Sequence, residues 1–424
     1  MKGKTLVALA VLLAPALASA AVIKIKVDAP IHPITAEYII QTIDQADRAH
    51  DELVILTLDT PGGLDSSMRE IIAKIVNART PVAAFVGPSG ARAASAGLLI
   101  ALACDVFAMA PGTNTGAAHP VGISLIGQAM DKTMEEKVTN DAAAYVRSIA
   151  EKRGRNVRMA EDAVRKSLSY TEREALAGGL IDLVVNSGDE LIARLDGRTI
   201  KRFDGATQIL ALAGKPVVER PMSFRQRFLL TIANPNLAFY LLLIGLLGLY
   251  IEFTHPGAVL PGVLGGISLL LAIFAFQILP ISYVGLGLII LAIILFILEI
   301  KVQSFGVLAI GGIVAMIIGA LMLIKAPVPE MRPSLTYILP FVIAVSAIIL
   351  FLLTLVFRAH ARPASTGREG MIGETGTART DLSPAGKVFV HGELWEAEAD
   401  TPIRAGEPVK VVEVRGLKLK VTKV

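Results

Sequence analysis

The chain has one cysteine and one tryptophan in 424 residues, and aromatic residues make up only 5% of it. The single thiol, Cys104, excludes an intramolecular disulfide and any zinc site built on several cysteines; its place in an apolar run marks it as a core residue. Charge is scarce too. Charged residues are 18% of the chain, and the formal balance is +4 with the basic residues scattered rather than striped, so nucleic acid is not an expected partner. No metal and no cofactor is expected either. What the chain has in excess is apolar surface: 53% hydrophobic residues and a mean hydropathy of +0.61 are too much for a wholly soluble protein. Membrane segments are therefore expected.

Residues 1–20 carry the three parts of a secretory signal. Lys2 and Lys4 supply the charged start, 6–17 the apolar centre, and Ala18-Ser19-Ala20 the small-residue cleavage pattern. The apolar run is short for a span and contains Pro15, which disfavours an uncleaved anchor. The domain after this signal is expected to be exported, to the periplasm where the cell has an outer membrane. Residues 21–220 read as one α/β domain. Strands are expected at 22–27, 53–58, 81–87 and 106–110, with helices at 35–48, 66–77, 95–103 and 134–152. Strand, glycine-rich turn and helix recur, as a parallel or spiral α/β arrangement requires. Thr171-x-x-Glu174 is a capping box that opens another short helix.

Residues 214–227 read as a linker containing Arg220, Arg225 and Arg227. Residues 228–357 read as membrane, with five spans near 237–253, 258–277, 283–299, 305–324 and 337–357, each long enough for a hydrocarbon core of roughly 30 Å. Glycines in them suit close helix packing, and Glu252, His255, Glu299 and Lys301 fall at span ends as solvated flanks. No charge lies mid-span, which argues against a transporter or proton relay. An exported N-terminal domain and five spans put the C-terminus in the cytoplasm. Arg358, Arg362 and Arg368 agree with that orientation, whereas the three arginines before the first span oppose it. From 370 to 424 the pattern changes to five short alternating strands with glycine turns, the signature of a small closed barrel of the OB type. With few aromatics there, a protein-binding use fits better than a nucleic-acid one.

The chemistry concentrates in 81–121. Ala94-Ser95-Ala96-Gly97 places Ser95 where a loop becomes a buried helix, at the positive end of the macrodipole and beside unpaired backbone N–H groups. An ordinary N-cap serine has the same local signature; a nucleophile needs it, because an oxyanion must be stabilised there. Two kinds of base are available. Lys137, expected in the first turn of its helix, is disfavoured there by the macrodipole, and burial beside Ser95 would favour its neutral amine. Asn140 or Asp141 could orient it, unless it is a solvated lysine paired with Glu135 or Glu136. His119 in Gly116-Ala-Ala-His119-Pro is the second kind, unless it only packs in a loop. Gly62 and Gly63, after a strand, and Ala96, next to the serine, are the candidate oxyanion donors.

Asp59-Thr60-Pro61-Gly62-Gly63, then Ala94-Ser95-Ala96-Gly97, then Met109-Ala-Pro-Gly-Thr-x-x-Gly-Ala117, then Lys137-x-x-Asn140 resemble, in that order, the motifs of the NfeD family of membrane-bound serine proteases. The resemblance spans the whole chain. It implies a Clp-like domain of the crotonase type, made of spiralling ββα units, then an all-α transmembrane bundle and an OB-type barrel. It places the nucleophile on Ser95, the lysine base on Lys137, and the oxyanion hole on Gly62 or Gly63 with Ala96. The Clp peptidase, also similar, uses a histidine at the spacing of His119, so both dyads fit the sequence. The family resemblance further implies an oligomer, and as substrate a hydrophobic segment of a membrane protein such as a stomatin-type partner. Three functions are open: a Ser/Lys endopeptidase in the inner membrane, a catalytically silent scaffold for stomatin-like proteins, and an acyl-CoA enzyme, which export disfavours.

Overall fold

The computed structural model describes residues 20–120, 132–257, 259–302, 304, 306–325, 332–360 and 370–424. The signal-like segment lies outside the described residues, apart from Ala20. Two compact units are present, one comprising 1–295 and 310–342, the other 296–309 and 343–424.

In the first unit, β1 (Val22–Val27), α1 (Pro33–Ala49), β2 (Leu53–Leu58), α2 (Asp65–Asn77) and β3 (Val82–Val86) come one after another in the order the apolar runs set out. Next come β4 (Arg92–Ala94), α3 (Ala96–Ala103), β5 (Val106–Met109) and β6 (Asn114–Gly116). After α4 (Lys132–Arg153) and α5 (Val157–Arg165) the domain continues with β7 (Ser169–Thr171), α6 (Glu172–Ala177), β8 (Leu183–Val184), α7 (Gly188–Leu195), β9 (Thr199–Lys201), β10 (Thr207–Ile209) and β11 (Val217–Glu219). One sheet has the order β11-β1-β2-β3-β5-β8 with every pairing parallel, and β4-β6-β7 form a second. Two turns of the spiral, β3-β4-α3 and β5-β6-α4, give one strand to each sheet before the helix. Isolated bridges Ile31↔Gly63 and Thr60↔Ala93 extend the first strands alongside the second sheet. This is the Clp-like ββα spiral.

The central strands β2, β3 and β5 are buried almost throughout, which explains why they are nearly all apolar. All eight residues of α3 are buried as well, so its ends need partners from the protein. Two arginines supply them at the C-terminus. Arg153 Nε donates to Ala103 O at 2.8 Å, and Arg155 donates to the carbonyls of Ala101, Leu102 and Cys104. Asp105 holds Arg153 at 2.7 Å and Arg202 at 2.9 Å, while Asp182 holds Arg155 at 2.9 Å. Cys104 is buried as expected, and burial pushes its thiol up to about 12.

The stretch read as a linker is structured. β11 adds to the edge of β1, and Ser223 and Gln226 form a capping box that opens α8 (Phe224–Ile232). Two of its three arginines are held by the domain: Arg220 pairs with Asp51 at 3.3 Å and Arg225 with Glu37 at 2.8 Å. Basic residues engaged this way are poor topology signals.

Each of the five apolar segments is helical: α9 (Pro235–Thr254), α10 (Leu260–Ile278), α11 (Tyr283–Val302), α12 (Val307–Met322) and α13 (Leu335–His360). Among the described residues α9 and α10 are long and apolar enough to cross a membrane. Gly248 meets Gly265, and Gly245 meets Leu269, too closely for a Cβ on either glycine, so α9 and α10 pack backbone to backbone in antiparallel register. Glu299 is not the solvated flank expected. It is fully buried in the second unit, where it accepts from Ser304 Oγ, Gly306 N at 2.8 Å and Ala309 N at 3.2 Å, capping the start of α12. In the same unit β12 (Thr375–Ala378), β13 (Ala385–Val390), β14 (Glu393–Ala399), β15 (Pro408–Arg415) and β16 (Lys418–Lys423) close into the expected barrel, in the order β12-β13-β14-β16-β15.

One cap carries a pH dependence. His32 Nδ1 accepts from Ile34 N at the start of α1, and burial lowers the imidazole from 6.5 to about 4. In the unfolded chain it binds a proton near pH 6.5, so stability is full above that pH and falls as pH drops toward 4, by about 3 kcal/mol in all. His32→Asn keeps a cap acceptor and is expected to flatten this slope, measured by thermal unfolding of the detergent-solubilised chain between about pH 7 and 4.5.

Candidate active site

Ser95 sits between β4 and α3 with φ 53° and ψ −117°, a conformation that residues with a Cβ rarely adopt. Its own N–H donates to Gly116 O at 2.8 Å, and Ala94 N donates to Thr60 O at 3.0 Å, so neighbours on both sides hold the strained residue in place. Its side chain makes no cap hydrogen bond to α3. Ser95 is therefore not the ordinary N-cap serine that its position allows.

The glycine turn lies against it. Gly62 has φ +103°, and a Cβ there would stand 2.6 Å from Ser95 Cβ and 3.1 Å from its Oγ. Gly97 is equally constrained, since a Cβ would meet Thr60 Cγ2 at 2.6 Å. The two glycine motifs thus interlock. Their donors differ, however. Gly62 N is bonded to Thr60 Oγ1 at 3.2 Å, whereas among the described residues Gly63 N and Ala96 N have no acceptor. Ile31 fixes that turn, its N–H donating to Gly62 O and its carbonyl accepting from Leu64 N, both at 2.8 Å.

A cleft of about 810 Å³ gathers Gly63, Ser95, Ala96, His119, Lys137 and Asp141. Its apolar wall includes Leu64, Met68, Leu99 and Val138. Lys137 shares the cleft but is exposed, not buried. α4 is already helical at Lys132, so Lys137 lies beyond the first turn, where the macrodipole acts on it weakly. Among the described residues it forms no ion pair, and it is not held by Glu135 or Glu136. Neither residue expected to orient it does so. Asn140 Oδ1 accepts from Arg165 at 2.7 Å, and Asp141 pairs with Arg69 at 2.6 Å. Arg69 also binds Asp65 at 2.8 Å and lies 4.5 Å over the Tyr145 ring, which ties α2 to α4. Sequence reasoning missed Arg69, because no local pattern marks a contact between separate helices.

His119 Nδ1 lies 3.0 Å from Val164 O, which fixes the proton on that nitrogen. Its Nε2 is left 3.7 Å from Glu135. No group of His, Cys, Asp or Glu among the described residues is arranged to hold a metal ion.

Family models match the chain in three consecutive blocks: the NfeD1b N-terminal domain over 21–197, the NfeD integral membrane domain over 236–355, and the NfeD-like C-terminal, partner-binding domain over 368–423. The membrane-bound protease PH1510 of Pyrococcus horikoshii is 35% identical over 429 residues, covering 99% of this chain and 97% of that protein. The chain belongs to the NfeD family. It is accordingly a membrane protein. Membrane protein NfeD1b of Bacillus subtilis is 28% identical over 408 residues, 92% of this chain and 90% of that one. A solved structure of 1510-N, a membrane-bound stomatin-specific protease with a lysine changed to alanine and a substrate peptide bound, is 33% identical. It covers 50% of this chain and 98% of its own, with a TM-score of 0.47.

The contact between Gly62 and Ser95 has a measurable consequence for this NfeD-family chain. Gly62→Ala adds a Cβ into Ser95 at a positive φ and is expected to cost about 1–3 kcal/mol, read as a lower melting temperature of the full chain. An unchanged melting temperature would mean that the two motifs do not interlock as described.

Proposed function

We propose that this NfeD-family chain is a membrane-anchored serine endopeptidase in which Ser95 is the nucleophile and Lys137 its base. The observation that carries the reading is the conformation of Ser95: a strained residue at a helix N-terminus, its hydroxyl uncommitted to the helix, in one cleft with a lysine that forms no ion pair among the described residues. Full-length identity to a membrane-bound protease supports it. Ser95 Oγ attacks the scissile carbonyl and passes its proton to the Lys137 amine. Gly63 N–H and Ala96 N–H face the oxyanion, with Gly62 as the residue that lets the turn come close. The lysine then protonates the departing amine, and water releases the acyl group from Ser95.

The Lys137 side chain is exposed in this cleft. An apolar segment lying over Leu64, Met68, Leu99 and Val138 covers the cleft and excludes water from it. An apolar substrate thus completes the site it is cut in. The family resemblance names that substrate as a hydrophobic segment of a stomatin-type partner, and the partner-binding domain matched over 368–423 is consistent with it. We place the protease domain outside the cytoplasm, the five helices across the inner membrane, and the barrel in the cytoplasm. The exposure of Lys137 favours the second reading, a catalytically silent scaffold for the same kind of partner.

Cleavage of apolar peptides by the purified full chain separates the two. Ser95→Ala and Lys137→Ala are each expected to lower kcat by about three orders of magnitude, and His119→Ala to leave it largely intact. A dead histidine variant beside an active lysine variant would move the base to His119. A wild type that cuts nothing across a broad apolar library would establish the scaffold reading instead.

A further inference from the structure

α8 ends at Ile232, and α9 begins at Pro235 after two residues, so α8 is placed by the helix that enters the membrane. It touches both α9 and α10. Because α9 and α10 run antiparallel, it lies at the end of the hairpin where α9 starts. One side of α8 belongs to the N-terminal domain. Gln226 is buried and donates to Gln41 on α1 at 3.1 Å, and Arg225 is paired with Glu37 on the same helix.

The other side carries Phe224 and Phe228, one helical turn apart. Their rings are stacked at 6.3 Å, yet they are 85% and 48% exposed. Arg227 and Thr231 flank them and are exposed too. An aromatic pair left in water is unfavourable, and the domain's own core does not take it. Next to that face, by continuity with α9, is the boundary between lipid headgroups and acyl chains. Aromatic rings with flanking basic residues are the chemistry that boundary accepts.

We propose that α8 is an interfacial helix: its Phe224/Phe228 face inserts into the bilayer surface, with Arg227 at headgroup level, and so seats the N-terminal domain against the membrane. The inference concerns anchoring alone and holds whether or not Ser95 is catalytic.

The test uses the full chain in lipid nanodiscs. Phe224→Cys and Phe228→Cys are each labelled with a small environment-sensitive fluorophore in a Cys104→Ala background; Asn77→Cys, exposed on α2, serves as control. Lipids with a nitroxide high on the acyl chain are expected to remove about half or more of the fluorescence at 224 and 228. Lipids with the nitroxide near the bilayer centre should remove less, and position 77 should respond to neither. That pattern fits a face inserted about 5–10 Å deep. Labels at 224 and 228 that respond no more than the label at 77 would overturn the proposal. Emission that is blue-shifted but unquenched, and reverts on dilution to one chain per disc, would assign the face to a second copy of the chain and also overturn it.

Discussion

The site depends on one buried helix held at both ends. α3 has no exposed residue, so its final carbonyls cannot turn to water, and Arg153 and Arg155 take them instead. The arginines are themselves buried and therefore need Asp105 and Asp182, which in turn accept from Val82 N and Phe107 N on the central strands. Cation at one end and open N–H groups at the other align with the macrodipole, leaving its positive end at Ser95. The strained backbone of Ser95 persists because this chain of buried contacts over-determines where α3 can sit.

That constraint also explains which parts of the sequence were readable. Buried strands such as 53–58 and 82–86 are almost wholly apolar, and Gly62 and Gly97 are glycines because nothing larger fits between the two turns. Local chemistry marks such positions directly. The capping box at Thr171 and the five strands of the barrel were legible for the same reason. The second sheet was not, since β4, β6 and β7 have three residues each and carry no periodicity of their own. The arginines that close α3 flank a glycine at φ +67° after α4, and nothing local in Arg153-Gly154-Arg155 shows which carbonyls they reach.

The site was legible as a set of residues more than as an arrangement. Ser95, Gly63, Ala96, His119 and Lys137 do line one cleft. Spacing along α4 suggested that Asn140 and Asp141 serve Lys137, because residues three and four apart share a face. Longer-range partners won: Arg165 takes Asn140, and Arg69 takes Asp141. Burial of Lys137 was expected from its supposed role, not from its neighbours, which are exposed along that part of α4. Span-end charges failed for a related reason. Glu299 caps α12, and Arg220 and Arg225 pair with the N-terminal domain, so both signs were engaged by structure that hydropathy does not register.

The proposed Ser/Lys dyad requires an activated hydroxyl at Ser95 whose reactivity comes from Lys137. The most direct measurement is the rate at which a fluorophosphonate modifies the full chain, with the adduct located by mass spectrometry, in wild type and in Lys137→Ala. One adduct is expected, on Ser95, formed at least about a hundredfold more slowly without the lysine. No adduct on Ser95, or one formed at the same rate in both proteins, would contradict a Ser/Lys dyad.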